Sequence, residues 1–198
     1  VGRRLGHLRS WDWDVIGPQL AARAPALVIL QYGTNEADDP TLDLPALSRH
    51  HDEVIALIRQ WVPGAAILVL GPPDMADREA GKACDKMPAP PPVDEYGDGG
   101  VPMECQWHTP GLLTAVVEVQ REAARRNGVA FFDSLAAMGG PEEMDVFFHM
   151  DPPLAYSDHV HFTAPGYELW GQRLLDSLMT EYAGYKTRTT ATAPGRSP

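Results

Sequence analysis

Hydrophobic and polar positions follow two different patterns along the chain. Short runs that are continuously apolar and rich in branched residues are typical of buried strands in a parallel sheet. These runs are residues 26–30, 65–70 and 129–132. Elsewhere apolar residues recur every three or four positions, which is the spacing of one helix face. This spacing predicts helices over residues 11–23, 44–62 and 111–126, and a last helix capped by Thr163. Strands that alternate with helices predict a doubly wound α/β domain with a parallel sheet.

Two stretches of the chain follow neither pattern. Residues 72–109 are rich in proline and glycine, which exclude regular structure, and a loop of this length inside a domain is usually functional or disordered. The end of the chain, TRTTATAPGRSP, is low in complexity. We therefore expect one folded domain over residues 1–183 and a disordered tail over residues 184–198.

Composition limits the classes of function. The chain has 198 residues, of which 44% are hydrophobic, so it can form a globular core. Its 27 acidic residues exceed its 16 lysines and arginines, giving a net charge of −11. A surface this acidic argues against unspecific binding to nucleic acids or anionic membranes. No apolar run approaches the roughly 20 residues of a membrane span.

The two cysteines, Cys84 and Cys105, flank a stretch rich in proline and glycine. A disulfide that closes this stretch would fit an extracytoplasmic protein, and two free thiols are the other interpretation. Neither cysteine has a CxxC partner, so the sequence does not predict a structural zinc site.

The first polar cluster, YGTNE at residues 32–36, directly follows the first predicted strand. In doubly wound sheets the working residues lie at the carboxyl ends of the strands. Asn35 is therefore placed where its side-chain amide could donate a hydrogen bond into a crevice. The alternative interpretation is an ordinary turn that contains glycine and asparagine.

The second polar cluster, SDHVHFT at residues 157–163, directly precedes the last predicted helix. Asp158 and His161 are three positions apart, a spacing that lets a carboxylate orient an imidazole acting as a base. The HxH pattern of His159 and His161, with His149 and Asp151 nearby, also admits a metal site. The third interpretation is a structural histidine, whose ring nitrogens are hydrogen-bonded within the loop.

Together, the YGTNE and DHVHFT motifs resemble two sequence blocks of the SGNH (GDSL-type) hydrolases. Supporting similarity points to the bacterial branch related to polysaccharide and peptidoglycan O-acetylesterases. It lies at residues 11–12, 27–37, 105–110, 119–121 and 137–141, and the resemblance covers residues 2 to about 182. It implies a three-layer α/β/α sandwich with a central parallel sheet in the flavodoxin-like topology.

The resemblance also implies roles for particular residues. His161 would be the base, Asp158 would orient it, and the oxyanion would receive hydrogen bonds from the Asn35 side chain and the backbone of Gly2, with Gly6 as the alternative. The candidate substrate contacts are Trp107 and Tyr96, which could stack on sugar rings, and Glu36. The resemblance implies no cofactor and no metal.

The chain departs from the family at the nucleophile, because it contains no Gly-Asp-Ser block. We nominate none of its serines, which are Ser10, Ser48, Ser134, Ser157, Ser177 and Ser197. Position 1 is Val1 rather than methionine. We expect the nucleophile and the first strand to lie upstream of Val1 or on a separate N-terminal segment. Without them, we expect the chain to be inactive and poorly folded.

The leading hypothesis is an extracytoplasmic serine esterase that removes short-chain acyl groups, O-acetyl above all, from a small molecule or a bacterial polysaccharide. Another SGNH activity, such as a lipase, thioesterase or acyltransferase, is the alternative within the family. A degenerate, non-catalytic domain that binds glycans or a protein partner is an alternative of another class. A metal-dependent hydrolase is the third alternative, and sensitivity to chelators would distinguish it.

Overall fold

The structure is a computed structural model, which describes residues 4–78 and 106–191. The helices and strands in these ranges follow in the order α1 (Leu5–Arg9), α2 (Trp13–Ala22), β1 (Leu27–Gln31), α3 (Thr34–Ala37), α4 (Leu44–Trp61), β2 (Ala66–Leu70), α5 (Gly111–Asn127), β3 (Ala130–Phe132), α6 (Ser134–Met138), α7 (Glu143–His149) and α8 (Ala164–Ala191).

The three strands form one parallel sheet in the order β1-β2-β3. In the register, Ile29 aligns with Leu68 and Leu68 aligns with Ala130. Helix α4 connects β1 to β2, and α5 leads into β3, as the connections of parallel strands require. This confirms the α/β class with a parallel sheet that the alternating pattern predicts.

Each face of the sheet is covered by helices. On one face, Leu30, Ile67 and Val69 pack in a core with buried residues of α4 and α5, among them Val54 and Val116. On the other face, apolar side chains of α8 and α6 cover buried residues of β2 and β3. This cluster contains Leu68, Leu70, Phe132, Ala137, Trp170 and Leu174. The arrangement is the three-layer sandwich that the family resemblance implies.

The two long helices of the first face begin and end as their sequences indicate. Asp43 caps α4, and its Oδ1 accepts the Ala46 N–H at 3.0 Å. Helix α5 ends at Asn127 and is capped by Gly128, whose left-handed φ of +59° is available to glycine at no steric cost. The predicted bounds of both helices agree with the structure to within one residue.

One edge of the sheet is apolar and uncovered within the described residues. Leu27 and Ile29 of β1 point to the same face as the buried Leu68, yet they are 44% and 48% exposed. Strand β1 has no described strand on its outer side. Helix α8 adds more exposed apolar side chains, namely Leu175, Leu178, Met179, Tyr182 and Tyr185. This surface has the composition of an interior rather than of an exterior.

The structure has helices in two places where the sequence pattern predicts none. The segment after β3 contains α6 and α7, which are too short to show a helical period in the sequence. The last helix continues to Ala191, beyond residue 183, where we expected the tail to begin. Residues 185–191 contain neither glycine nor proline, so nothing in them stops a helix that is already formed. Cys84, Cys105 and most of the long loop lie outside the described residues.

His51 makes the stability of this fold depend on pH. Its imidazole is buried in α4, with Nδ1 3.0 Å from the Leu47 carbonyl oxygen, and burial lowers the pKa of His51 to about 4. The unfolded chain binds this proton near pH 6.5 and the folded chain does not, so the free energy of unfolding falls as the pH drops from 6.5 to 4.

We expect urea unfolding to show a loss of about 2 kcal/mol from this group between pH 7 and pH 5. The His51→Leu variant removes the titrating group and should show a correspondingly shallower dependence on pH. Equal slopes for the two proteins over this interval would contradict the assignment.

Candidate active site

The segment that follows β1 is fixed by close packing. Gly33 has a φ of +126°, and a Cβ built on it would lie 2.8 Å from the Pro72 ring, so only glycine fits there. The buried Gln120 of α5 donates from Nε2 to the Tyr32 carbonyl oxygen at 2.8 Å. These contacts hold α3, which presents Asn35 at the surface beside the carboxyl end of β1.

Glu36 does not lie where a substrate contact would. Its side chain is only 2% exposed, and both carboxylate oxygens accept backbone hydrogen bonds. One oxygen accepts the Leu5 N–H at 2.6 Å, and the other accepts the Gly33 N–H at 2.9 Å. The structure therefore corrects this assignment, because Glu36 joins α1 to the turn that carries Asn35. An ion pair between Arg4 and Asp39 connects the same two segments at the surface.

The structure brings Asp158 and His161 together in one turn. Asp158 Oδ1 accepts the backbone N–H groups of Val160 and His161, each at 3.0 Å. Its Oδ2 lies 2.7 Å from His161 Nδ1. Because a carboxylate only accepts, Nδ1 carries the shared hydrogen, and Nε2 of the neutral ring is left as the basic nitrogen. The imidazole is 67% exposed, so the pair can meet a molecule from solvent.

The charge state of Asp158 suits an orienting residue. Burial raises its pKa, but hydrogen bonds from the His161 N–H, the His161 imidazole and the Val160 N–H outweigh burial and lower the pKa below its ordinary value. The carboxylate is therefore ionised at neutral pH, and it favours the imidazolium that forms when His161 takes a proton.

The segment over residues 71–78, which follows β2, lies between the two polar clusters. Near its start, Pro72 packs against Gly33. Near its end, the Ala76 N–H donates to the His159 carbonyl oxygen at 2.9 Å. The turn with Asn35 and the turn with Asp158 and His161 therefore flank one segment at the carboxyl edge of the sheet, as expected for a doubly wound domain.

Trp107 packs within the protein beside this edge. Its ring stacks on the His159 imidazole, with centroids 3.8 Å apart, and the Arg78 guanidinium lies 4.9 Å from the Trp107 centroid. The role of Trp107 as a sugar platform stays a prediction. The other two residues proposed from the sequence, Gly2 and Tyr96, lie outside the described residues.

Sequence reasoning missed Asp74, which is fully buried. It accepts hydrogen bonds from Thr109 Oγ1 at 2.7 Å and from the Met144 N–H at 2.8 Å, and burial raises its pKa. It thus ties the segment after β2 to α7. The sequence signal that could have indicated Asp74 was its position shortly after a strand, at the end of GPPD. A lone aspartate in a proline-rich turn does not by itself indicate burial.

The described part of the chain contains neither a cluster of metal ligands nor a serine that is hydrogen-bonded to His161. No three His, Cys, Asp or Glu side chains in residues 4–78 and 106–191 lie close enough to hold a metal ion. In the same residues, no serine hydroxyl is hydrogen-bonded to His161. Ser134, which follows β3, is fully buried, and the structure gives its hydroxyl no described partner. None of the helices described here is both long and apolar enough to cross a membrane.

Comparison with known proteins agrees with this geometry. The sequence model of the GDSL-like lipase/acylhydrolase family matches residues 2–169. The chain belongs to this family. A search of curated proteins gives no match.

Solved structures include similar relatives. A peptidoglycan O-acetylesterase is 28% identical, with a TM-score of 0.71 over 92% of this chain and 45% of its own. This GDSL-like chain thus spans less than half the length of that enzyme. A lipase/acylhydrolase from Enterococcus faecalis is 18% identical, with a TM-score of 0.50 over 85% of this chain and 68% of its own. The periplasmic domain of a lipopolysaccharide acetyltransferase from Salmonella ser. Paratyphi A is 12% identical, with a TM-score of 0.50 over 84% of this chain and 61% of its own. These last two similarities show the fold alone.

The Glu36→Gln variant tests the structural role of Glu36. A glutamine can accept only one of the two N–H groups and turns a donor toward the other. We expect the free energy of unfolding to fall by about 1–3 kcal/mol, measured by urea unfolding. The Asp39→Asn variant is the matched control. It removes the charge of the ion pair with Arg4, its amide oxygen can still accept from the Thr41 N–H and hydroxyl, and it should cost much less. Equal losses in the two variants would refute this role.

Proposed function

We propose that this GDSL-like protein is a serine esterase in which His161 is the general base, Asp158 orients it and Asn35 stabilises the oxyanion. The observation that carries the proposal is the 2.7 Å hydrogen bond between His161 Nδ1 and Asp158 Oδ2. It fixes the imidazole tautomer that a general base needs, in an exposed turn of a hydrolase-family fold.

In this mechanism, His161 Nε2 takes the proton of a serine hydroxyl as its oxygen attacks the ester carbonyl carbon. The carbonyl oxygen becomes an oxyanion, which accepts hydrogen bonds from the Asn35 amide and, by the family resemblance, from the backbone N–H of Gly2. The tetrahedral intermediate collapses, and the imidazolium gives its proton to the departing alcohol. Water then attacks the acyl-enzyme, with His161 again acting as the base, and the acid leaves.

The attacking serine is proposed to come from an upstream or separate N-terminal segment, which pairs along the outer side of β1. The exposed Leu27 and Ile29 support this assignment, because a further strand would bury both side chains. The exposed apolar face of α8 would be covered by the same unit. The lack of a hydroxyl partner for His161 among the described serines agrees with it.

The substrate proposed is an O-acetyl ester on a bacterial glycan, and the site of action is outside the cytoplasm. The support is the similarity to the peptidoglycan O-acetylesterase, which has both the highest TM-score and the highest identity among the structures compared above. Trp107 and Tyr96 remain the proposed contacts for the sugar. Glu36 is no longer among them, because it is buried and fully engaged.

Hydrolysis of p-nitrophenyl acetate by the protein with its upstream region tests the proposed residues. His161→Ala should lower kcat by at least about 10³-fold. Asn35→Ala should lower kcat by about 10²- to 10³-fold, because the amide acts on charge that develops only in the transition state. A fluorophosphonate should inactivate the enzyme and a chelator should not. A His161→Ala variant that keeps its activity would refute the mechanism.

A second experiment tests the source of the serine. The 198-residue chain and the same chain with its upstream region are compared for hydrolysis of p-nitrophenyl acetate and for cooperative urea unfolding. We expect activity only in the longer protein, together with a higher free energy of unfolding, because the apolar edge of β1 is then covered. Equal activity of the two proteins would show that the serine lies within the chain.

A further inference from the structure

We propose that Asp145 and His159 form a positioning pair, which anchors the turn that holds Asp158 and His161. The proposal rests on the proposed function, because it concerns how the base of that mechanism is held in place. Its starting point is His159, which lies between the two catalytic candidates and which the sequence offered only as part of an HxH pattern.

The backbone of His159 is in an unfavourable conformation. Its φ is +53°, in the left-handed region that glycine adopts freely and that costs other residues of the order of 1 kcal/mol or more. A glycine would therefore give the turn the same backbone shape without strain. The side chain of His159 must provide an interaction that compensates for this cost.

The imidazole of His159 provides that interaction, because it is held on several sides. It is only 2% exposed. Its Nε2 lies 2.9 Å from Asp145 Oδ1 of α7, and its Nδ1 lies 3.1 Å from the Ser157 carbonyl oxygen. The ring stacks on Trp107, and the Phe148 ring lies 4.7 Å away.

The anchor is itself attached to the sheet. Helix α7, which carries Asp145, has the Met144 N–H near its start bonded to the buried Asp74. Asp74 belongs to the segment after β2, and Ala76 of the same segment donates to the His159 carbonyl oxygen at 2.9 Å. The side chain of His159 is thus connected to this segment through α7, and the backbone of His159 is hydrogen-bonded to the segment directly.

This arrangement decides where His161 points. The turn has one hydrogen bond between the imidazole and Asp158, and both of these side chains are more than half exposed. The turn is also held by the Tyr156 N–H, which donates to the His161 carbonyl oxygen at 2.8 Å, and by Val160, which packs against the core. Within residues 158–161, however, His159 has the buried side chain, and this side chain contacts α7. Catalytic groups must be held to within about 0.5 Å, and a displacement of 1 Å can cost about 10²-fold in rate. Removing the imidazole of His159 should therefore let the turn and its catalytic pair move.

The decisive variant is His159→Gly, because two hypotheses predict opposite results for it. If the position serves only the backbone conformation, glycine relieves strain and leaves catalysis unchanged. If the imidazole is an anchor, glycine lowers kcat by about 10- to 100-fold with little change in KM. The assay is hydrolysis of p-nitrophenyl acetate by the protein with its upstream region, after near-ultraviolet circular dichroism has shown the native fold.

Variants of Asp145 keep the proposal testable if His159→Gly does not fold. Asp145→Ala should reproduce the loss of kcat, whereas Asp145→Asn keeps an acceptor for Nε2 and should retain most of the activity. His149→Ala is the matched control on α7, because His149 Nδ1 lies 3.6 Å from Asp145 Oδ1 and the His149 side chain is 52% exposed. It should leave kcat unchanged.

A nuclear magnetic resonance measurement separates this proposal from the proposed function. The hydrogen between His161 Nδ1 and Asp158 should give a downfield-shifted proton signal in the wild-type protein, recorded at low temperature to slow its exchange with solvent. That signal should weaken in His159→Gly and Asp145→Ala and persist in His149→Ala. Absence of the signal from the wild-type protein would count against the catalytic pair itself. A wild-type signal that is kept in both variants, together with unchanged kcat, would overturn the positioning role.

Discussion

The parallel pairing of β2 with both β1 and β3 is the constraint on which the candidate site depends. Parallel strands direct all their carboxyl ends to one edge, so the segments that follow them converge there. The segment after β2 is the central one, and it contacts the turn of Asn35 on one side and the turn of His161 on the other. Asn35 and His161, which are 126 positions apart in the sequence, thus lie at one edge of a small sheet.

Buried acidic side chains organise this edge without taking part in the proposed chemistry. Glu36 accepts two backbone N–H groups, and Asp74 accepts one backbone N–H and one hydroxyl. Burying a carboxylate is costly unless its oxygens find donors, so each of these residues fixes the segments that supply the donors. The exposed Asp158 differs, because one of its oxygens is left for the imidazole of His161.

The proposed esterase mechanism and the uncovered apolar surface belong to one physical picture. The proposed base and its proposed orienting carboxylate both lie within the chain, whereas the outer side of β1 is, among the described residues, an apolar edge that a further strand would bury. A unit that pairs there would deliver its carboxyl end beside Asn35 and His161, where the proposed nucleophile is needed. Covering this edge and completing the site would then be the same event.

Local patterns in the sequence determined much of the secondary structure and one pair of the candidate site. Continuous branched runs predicted the three strands, a period near 3.6 predicted α4 and α5 to within one residue, and the DxxH spacing predicted the pairing of Asp158 with His161. These features depend on neighbours within about four positions. The roles of Glu36, Asp74 and His159 were decided only by the tertiary structure, because each of them has a partner that lies 14 to 70 positions away along the chain. A sequence shows that a carboxylate or an imidazole is present, but burial and the donors that fold against it decide whether it meets a substrate or holds the backbone.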